Sequence, residues 1–514
     1  MNRRSILFFL LAVVAAVPLV SCNRTEKLEN AAQRRLVIAV PADPVTLDPV
    51  AMQEVNSAAI GNAIHACLIR LDPKGKIVPV LADAIELSPD AMGAIIKLHA
   101  GAKFWDGSEV RVEDVQASLQ RLKESASPLK WIADRIEGFT KRDEHQLQVR
   151  FRLPEPDFVK LMANLQAAIV KSGSEKQPKQ PFDTQVIGAG AFMPAVGQME
   201  PGVAFTLKVN PGFPQQGNVE TLVFAVMPDT QNQLEALRAG RVDIVRLRGP
   251  AIAEACVLSR GVLKPRPVFA AAQVASAPAS ELGFAVFNWS HAKLASIPVD
   301  DRRKLLESLA ARVPRQALSD SLYLGAADPA TAIAPPSTVS GQQSFGNESV
   351  NFKLTTPIKL TLLSANDELA RQFATFVAPS CKEVGLEVEP RFVEVPKLVE
   401  ELLKREFEIS TLYFEMPVAG IGPWTMFFEE GNPFAVFGEP LPGVKEKVQA
   451  ARSLVDEARR NQAYAEIVSE ISRKQVTWLP VVSRRTVLLS SHRAEGLFID
   501  ACGTPVWSFL RFHE

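Results

Sequence analysis

Short apolar runs, alternating stretches and helix-spaced stretches succeed one another along this chain, separated by Gly and Pro. Residues 36–40, LVIAV, are a continuous apolar run closed by Pro41 and Pro44, which predicts a short buried strand. Residues 95–99, IIKLH, put Ile96 and Leu98 on one inner face. Residues 146–152 alternate strictly, with Leu147, Val149 and Phe151 on one side. That strand ends at Pro154 and Pro156, and a helix opens at Phe158. Leu234 and Leu237 share a helical face, Gly240 stops the helix, and Val242, Ile244 and Val245 start a strand. Residues 326–349, rich in Pro, Ser, Gly and Gln, predict a long surface loop. A strand at 358–363, a helix at 368–384 kinked by Pro379 and a strand at 386–392 form a βαβ unit. Residues 448–475 read as mostly helix, ended before Pro480. Strands and helices mixed in this way predict an α/β fold. There is no internal repeat.

The first 22 residues follow a different pattern. Arg3 and Arg4 precede residues 6–20, a 15-residue stretch without a polar side chain. It is short for a membrane span and suits a signal peptide. It ends in Leu19-Val20-Ser21-Cys22, which resembles a bacterial lipobox. Residues 1–21 are therefore expected to be removed and Cys22 to carry lipid. Residues 22–35, mostly polar, would be a tether. The mature chain would keep 514 − 21 = 493 residues, with a charge of 55 − 57 = −2. No later run reaches 18 apolar residues, so attachment would be by lipid alone.

The 514 residues suffice for more than one ordinary domain, and Lys+Arg and Asp+Glu are equal at 57 each. That balance gives no reason to expect a nucleic-acid partner. In an exported chain Cys67, Cys256, Cys381 and Cys502 allow two disulfides in three connectivities, or buried free thiols. The six histidines (65, 99, 145, 291, 492, 513) lack metal-ligand spacing, and neither a metal nor a cofactor is expected. An exported enzyme is disfavoured, because GxSxG, HExxH, a P-loop and a partnered SxxK are missing. The GAGAF stretch at 188–192 lacks a third glycine and is followed by Pro194, which excludes a dinucleotide loop.

Residues 103–115, KFWDGSEVRVEDV, look at first like a site, with two aromatics and four acids. They read better as architecture. Asp106-Gly107 is a turn signal, and Asp114 lies near the start of a helix that buries Val115, Leu119 and Leu122. As architecture the stretch resembles a block of the family 5 solute-binding proteins of ABC importers, which include dipeptide- and oligopeptide-binding proteins. Further blocks follow in the family's order. They are TLDP at 46–49, PVLADAIELS at 79–88, LPEPDF at 153–158, GAGAF at 188–192, GRVDI at 240–244, Phe287-Asn288 and VDDRR at 299–303.

The resemblance implies a two-lobed fold of the periplasmic-binding-protein type, class II, with an extra subdomain of about 75–180 inserted in the N-terminal lobe. Lobe I would comprise 36–285 with 478–514, and lobe II 286–477, closing by hinge motion. It implies a monomer outside the cytoplasm that captures a short peptide or other small solute. Delivery would be to an ABC permease with a cytoplasmic ATPase, and the protein itself would not be an enzyme. In the family an Asp of a WxxDxxDP-like segment holds the ligand amine. Here the matching region is 412–424, where Glu415 would replace that Asp and Phe414 or Tyr413 the aromatic wall. Trp424 and Trp289 are further candidate ligand contacts. The helix AKxLLxEAG, usual in the family after the Pro-rich loop, is not recognisable. These departures leave open a non-peptide solute, or a sensory or docking lipoprotein that no longer imports.

Overall fold

The computed structural model describes residues 34–513, apart from 53–54, 128, 175–185, 215–216, 260–261, 270–271, 336–349, 416–421, 433–434, 436–437 and 502. The expected signal peptide, Cys22 and most of the tether lie outside the described residues, as does Cys502. No helix among the described residues is long and apolar enough to cross a membrane.

Eleven strands form one sheet. In chain order they are β1 (Arg35–Val40), β2 (Phe192–Glu200), β3 (Ala204–Val209), β4 (Thr221–Val226), β5 (Ile244–Leu247), β6 (Gln273–Phe287), β7 (Ala327–Pro329), β8 (Ile358–Ala365), β9 (Leu386–Val393), β10 (Ile409–Glu415) and β11 (Trp478–Ser490). The spatial order is β9-β8-β10-β6-β11-β5-β1-β4-β3-β2, and β7 adds to β11. β1 runs parallel to β4 and β5, and β8 parallel to β9 and β10, so each half carries its own parallel unit. Such strands are covered on both faces and read as apolar runs, which is why LVIAV was legible.

Two long strands join the halves. β6 and β11 pair antiparallel from Gln273↔Ser490 to Val286↔Trp478, with a bulge between Ala277 and Glu281. The end of β11 also pairs with β5, and its middle with β7. On one face of the sheet a single core runs through both halves and includes Val37, Val245, Ala285, Leu360 and Val487. On the other face there are two separate cores. One holds Ile38, Leu222 and Ile244, the other Leu282, Phe284 and Leu363.

The inserted region has its own four-stranded sheet, in the order Ala82–Leu87, Gly93–Leu98, Gln146–Phe151, Ile136–Lys141, with its own core. Leu147, Val149 and Phe151 are buried there, as their alternation predicts. The stretch 103–115 packs against it as architecture. Lys103 and Glu109 form an isolated bridge, not a strand, around a turn in which Gly107 has φ 85°. Asp106 Oδ1 accepts from Ser108 N at 3.0 Å, and Asp114 Oδ2 accepts from Arg111 N at 2.9 Å to cap the helix Val112–Glu124.

The glycines of GAGAF have a packing reason. The end of the helix Val55–Ile64 lies directly on them. A Cβ on Gly190 would sit 2.6 Å from His65 N, and closer still to the Ala63 carbonyl oxygen. All of these atoms are backbone, so no side chain can swing away. Gly190→Ala is expected to lose about 1–3 kcal/mol of stability, as overpacking does, read from the urea midpoint at unchanged slope.

Two expectations need correction. Residues 326–334 are not a surface loop. Ala327–Pro329 is β7, and Ala330, Ala332, Ile333 and Ala334 are buried against the core that holds Phe284. The Pro and Ser content of the segment hid a run of small apolar residues that fits under a sheet edge. The second half, 336–349, lies outside the described residues. The predicted helix at 448–475 is two helices, Val444–Arg452 and Glu457–Lys474, the second capped by Asp456, which accepts from Arg459 N at 2.8 Å. Cys67, Cys256 and Cys381 are free thiols, and burial pushes them up to about 12, 11 and 12. Cys256 and Cys381 are buried, and Cys67 is half-buried.

Candidate functional site

A cavity of about 620 Å³ opens beside the core that holds Ile38 and Ile244. Its floor comes from β1, β5 and β11, and its walls from both halves of the chain. Ile244 of β5 faces the core beside the cavity, while Val245 and Leu247 face the opposite side. Strand alternation therefore brings Arg246 and Arg248 together on the cavity side. Arg484 of β11 joins them from the ribbon that links the halves.

Arg484 is the most deeply placed of the three. Its side chain is 10% exposed, and it pairs with Glu281, which stands opposite it across the β6/β11 ladder. Its guanidinium carbon lies 3.7 Å from the centroid of the Tyr413 ring. Burial, and after it the like charges of Arg248 and Arg246, press its guanidinium well below the ordinary arginine value. Its Nε has no hydrogen-bond partner. Tyr413 Oη in turn shares a 3.0 Å hydrogen bond with Tyr323 Oη, and burial holds the Tyr413 hydroxyl well above the usual tyrosine value.

The opposite wall is neutral and polar. Asn62, Asn164 and Gln166 line it, and Asn62 Nδ2, Asn164 Oδ1 and Gln166 Oε1 are buried without hydrogen-bond partners. Gln166 is held by donating Nε2 to Met52 O at 2.9 Å, and Asn164 by donating Nδ2 to Leu161 O at 2.9 Å. Each therefore has one amide atom fixed and the other left over. A buried amide group without a partner costs about 1–3 kcal/mol, and this wall holds three such atoms. Asp229 and Asp367 stand at the rim as caps of the helices Thr230–Arg238 and Glu368–Glu383.

Away from the ribbon, side chains bridge the inserted region and the helices of the other half. Arg460 Nη2 lies 2.8 Å from Asp157 Oδ1, and Lys160 Nζ lies 2.5 Å from Glu457 Oε1. The Arg452 guanidinium lies 4.2 Å from the centroid of Trp131. None of these bridging residues lines the cavity.

Of the residues singled out in the sequence, Tyr413 lines the cavity. Phe414, the next residue on β10, packs edge-on against Phe427 at 4.8 Å in the core on the far side of the strand. Trp424 is 1% exposed in that same core, and Trp289 is stacked on Phe287 at 5.5 Å with Nε1 donated to Val476 O at 2.6 Å. Neither tryptophan is among the residues lining the cavity. The Glu415 backbone pairs with Glu281 at the end of β10, and its side chain lies outside the described residues.

Sequence reasoning passed over Arg246, Arg248, Arg484, Asn62, Gln166 and Trp507, all of which line the cavity. One signal was present. Arg246 and Arg248 sit at alternate positions directly after GRVDI, on a strand that otherwise buries apolar residues. Arg484 carries no local pattern, because its partner Glu281 is 203 residues away.

The sequence profile of the bacterial extracellular solute-binding proteins, family 5 (middle region), matches residues 76–416. A probable di/tripeptide-binding protein 5 of Pseudomonas aeruginosa is 22% identical, covering 93% of this chain and 96% of the relative. The glutathione-binding protein GsiB of Escherichia coli (strain K12) is 20% identical, covering 91% of this chain and 92% of the relative. The solved structure of the murein tripeptide binding protein MppA of Escherichia coli superposes with a TM-score of 0.77 at 18% identity, covering 93% of this chain and 97% of that one.

Proposed function

The chain belongs to the bacterial extracellular solute-binding proteins of family 5, and we propose that it captures a short peptide outside the cytoplasm and hands it to an ABC importer. The observation that carries this reading is the wall of Asn62, Asn164 and Gln166. Its leftover donor and two leftover acceptors match the amide groups of an extended peptide. The cavity's mixture of arginines, rim acids and Tyr413 suits a ligand with both charges and an apolar part. Relatives named for dipeptides, tripeptides and glutathione agree with a ligand of that size.

In this reading residues 36–285 with 478–514 form one closing body and 286–477 the other. The two chain crossings between these bodies fall near the end of β6 and the start of β11. Closure brings the arginines of β5 toward Tyr413 and Glu415, and Glu415 accepts the ligand's ammonium. Cys22 carries the lipid that keeps the protein near its permease, and partner subunits hydrolyse ATP.

Thermal unfolding of the chain from residue 23 onward, with di-, tri- and oligopeptide pools, tests this. A ligand that binds only the folded state adds about 2.7 kcal/mol at a hundredfold excess over its Kd. A peptide-dependent rise in midpoint is expected, reduced in Glu415→Gln. A rise of equal size in the variant rejects Glu415 as the amine site. No rise with any pool rejects the peptide reading.

A further inference from the structure

The inserted region meets the helices Val444–Arg452 and Glu457–Lys474 away from the cavity, and side chains alone make the junction. Among the described residues no backbone hydrogen bond joins 75–180 to 286–477. Arg460 is anchored on its own side by donating Nη1 to Leu454 O at 2.7 Å and to Val455 O at 3.1 Å, and its Nη2 reaches across to Asp157. Arg452 is anchored by Glu429, whose Oε1 lies 3.4 Å from its Nη2, and it lays its guanidinium on the Trp131 ring. Asp157 heads the short helix Phe158–Leu161, yet its side chain caps nothing there. Its carboxylate is free to serve the junction.

The charges are arranged to fit in one register. Asp157 and Lys160 are three positions apart, as are Glu457 and Arg460, so each pair shares a helix face. Asp157 meets Arg460 and Lys160 meets Glu457, with the signs reversed from one pair to the next. A slip along the junction would bring like charges together. The Arg460 and Arg452 side chains are only 4% and 9% exposed, and the Nε of each is buried without a partner. A buried guanidinium is tolerated only while its partners are in place. Separation of the two halves returns both groups to water, so loss of Asp157 or Trp131 favours separation.

We propose that Asp157, Lys160 and Trp131 of the inserted region and Arg452, Glu457 and Arg460 of the other half form a latch, which holds part of the population closed with no ligand in the cavity. This rests on the two-body reading above and not on the nature of the ligand. None of the six residues lines the cavity, so the latch sets how often the cleft is closed without reading what enters it. Apparent affinity scales with the fraction of protein in the competent state, so the latch strengthens binding of every ligand alike.

Small-angle X-ray scattering of the chain from residue 23 onward, with no peptide added, tests the latch. The radius of gyration is expected to be larger in the paired change Asp157→Ala with Trp131→Ala, and in Lys160→Glu and Glu457→Lys separately. Lys160→Glu combined with Glu457→Lys restores the opposite-charge contact and is expected to restore the radius. Both residues are well exposed, so these reversals leave the cores intact. A radius unchanged in every variant overturns the latch. An enlargement that the combined reversal does not undo overturns it as well, because it then reflects local damage. The peptide pool with the largest thermal shift is expected to contract the Asp157→Ala, Trp131→Ala protein only at a concentration about fivefold or more above that needed by the unmodified protein. Contraction at the same concentration overturns the latch. Pools that bind neither protein reject the peptide reading, while the radii without peptide still decide the latch.

Discussion

Asp243→Ala is expected to lower the unfolding free energy by about 3–5 kcal/mol, the usual cost of removing one partner from a buried ion pair. Asp243 is the aspartate of GRVDI and is fully buried. Its Oδ2 accepts from Val37 N at 2.9 Å, and its Oδ1 accepts from Ser491 Oγ at 2.9 Å and from Arg493 Nε at 2.9 Å. Its backbone donates to Val37 O at 2.6 Å and accepts from Ser491 N at 2.7 Å. One side chain thus ties together β1, the start of β5 and the end of β11, which are the strands under the cavity. Alanine would leave the Val37 N–H buried without an acceptor and the Arg493 guanidinium with only the long bond to Gly240 O, at 3.5 Å. Asp243→Asn keeps one acceptor for Val37 and is expected to cost less. Urea unfolding checks both. A loss below about 1 kcal/mol for alanine would mean that Arg493 finds water or another acceptor.

The second large effect is on acid stability and comes from His65. The imidazole is buried, with Nε2–H donated to Leu47 O at 2.8 Å and Nδ1 without a partner. Burial is the main reason its pKa falls from 6.5 to about 4, and nearby Arg121 adds to this. A second proton would have to enter at Nδ1, which faces Gly188 and has no acceptor. Because the folded state resists a proton that the unfolded chain accepts, this contribution is fully present above pH 6.5. It is lost as pH falls from there to about 4, where it amounts to roughly 3 kcal/mol. His65→Gln can donate the same bond to Leu47 without titrating. Wild type and variant are compared by urea unfolding at pH 7 and pH 4.5. The gap between them is expected to move by about 2–3 kcal/mol in favour of the variant on acidification. A pH-independent gap would mean that His65 does not control this window.

What the sequence made legible follows from what its motifs do. TLDP is readable because Asp48 joins Arg121 at 2.7 Å and caps the turn after Pro49. Phe287-Asn288 is readable because Asn288 Nδ2 donates to Arg405 O and Phe407 O at 2.9 and 2.7 Å. GAGAF is readable because a helix backbone rests on its glycines, and LPEPDF because Glu155 pairs with Arg135 and Asp157 with Arg460. Each block satisfies a buried polar group or a close backbone approach that the fold itself imposes, so it carries the family signal. The cavity arginines satisfy nothing local. Their grouping depends on strand pairing between residues more than two hundred positions apart. The two tryptophans illustrate the converse. A large aromatic near a candidate segment is more often filling a core, and Trp424 and Trp289 both do.

In the proposed function, two halves joined by the β6/β11 ribbon close on a peptide. Small-angle X-ray scattering of the chain from residue 23 onward, with and without the peptide pool that gives the largest thermal shift, tests it most directly. A smaller radius of gyration is expected with peptide, and no change for Glu415→Gln at the same peptide concentration. Saturating peptide that leaves the radius of the unmodified protein unchanged would contradict it.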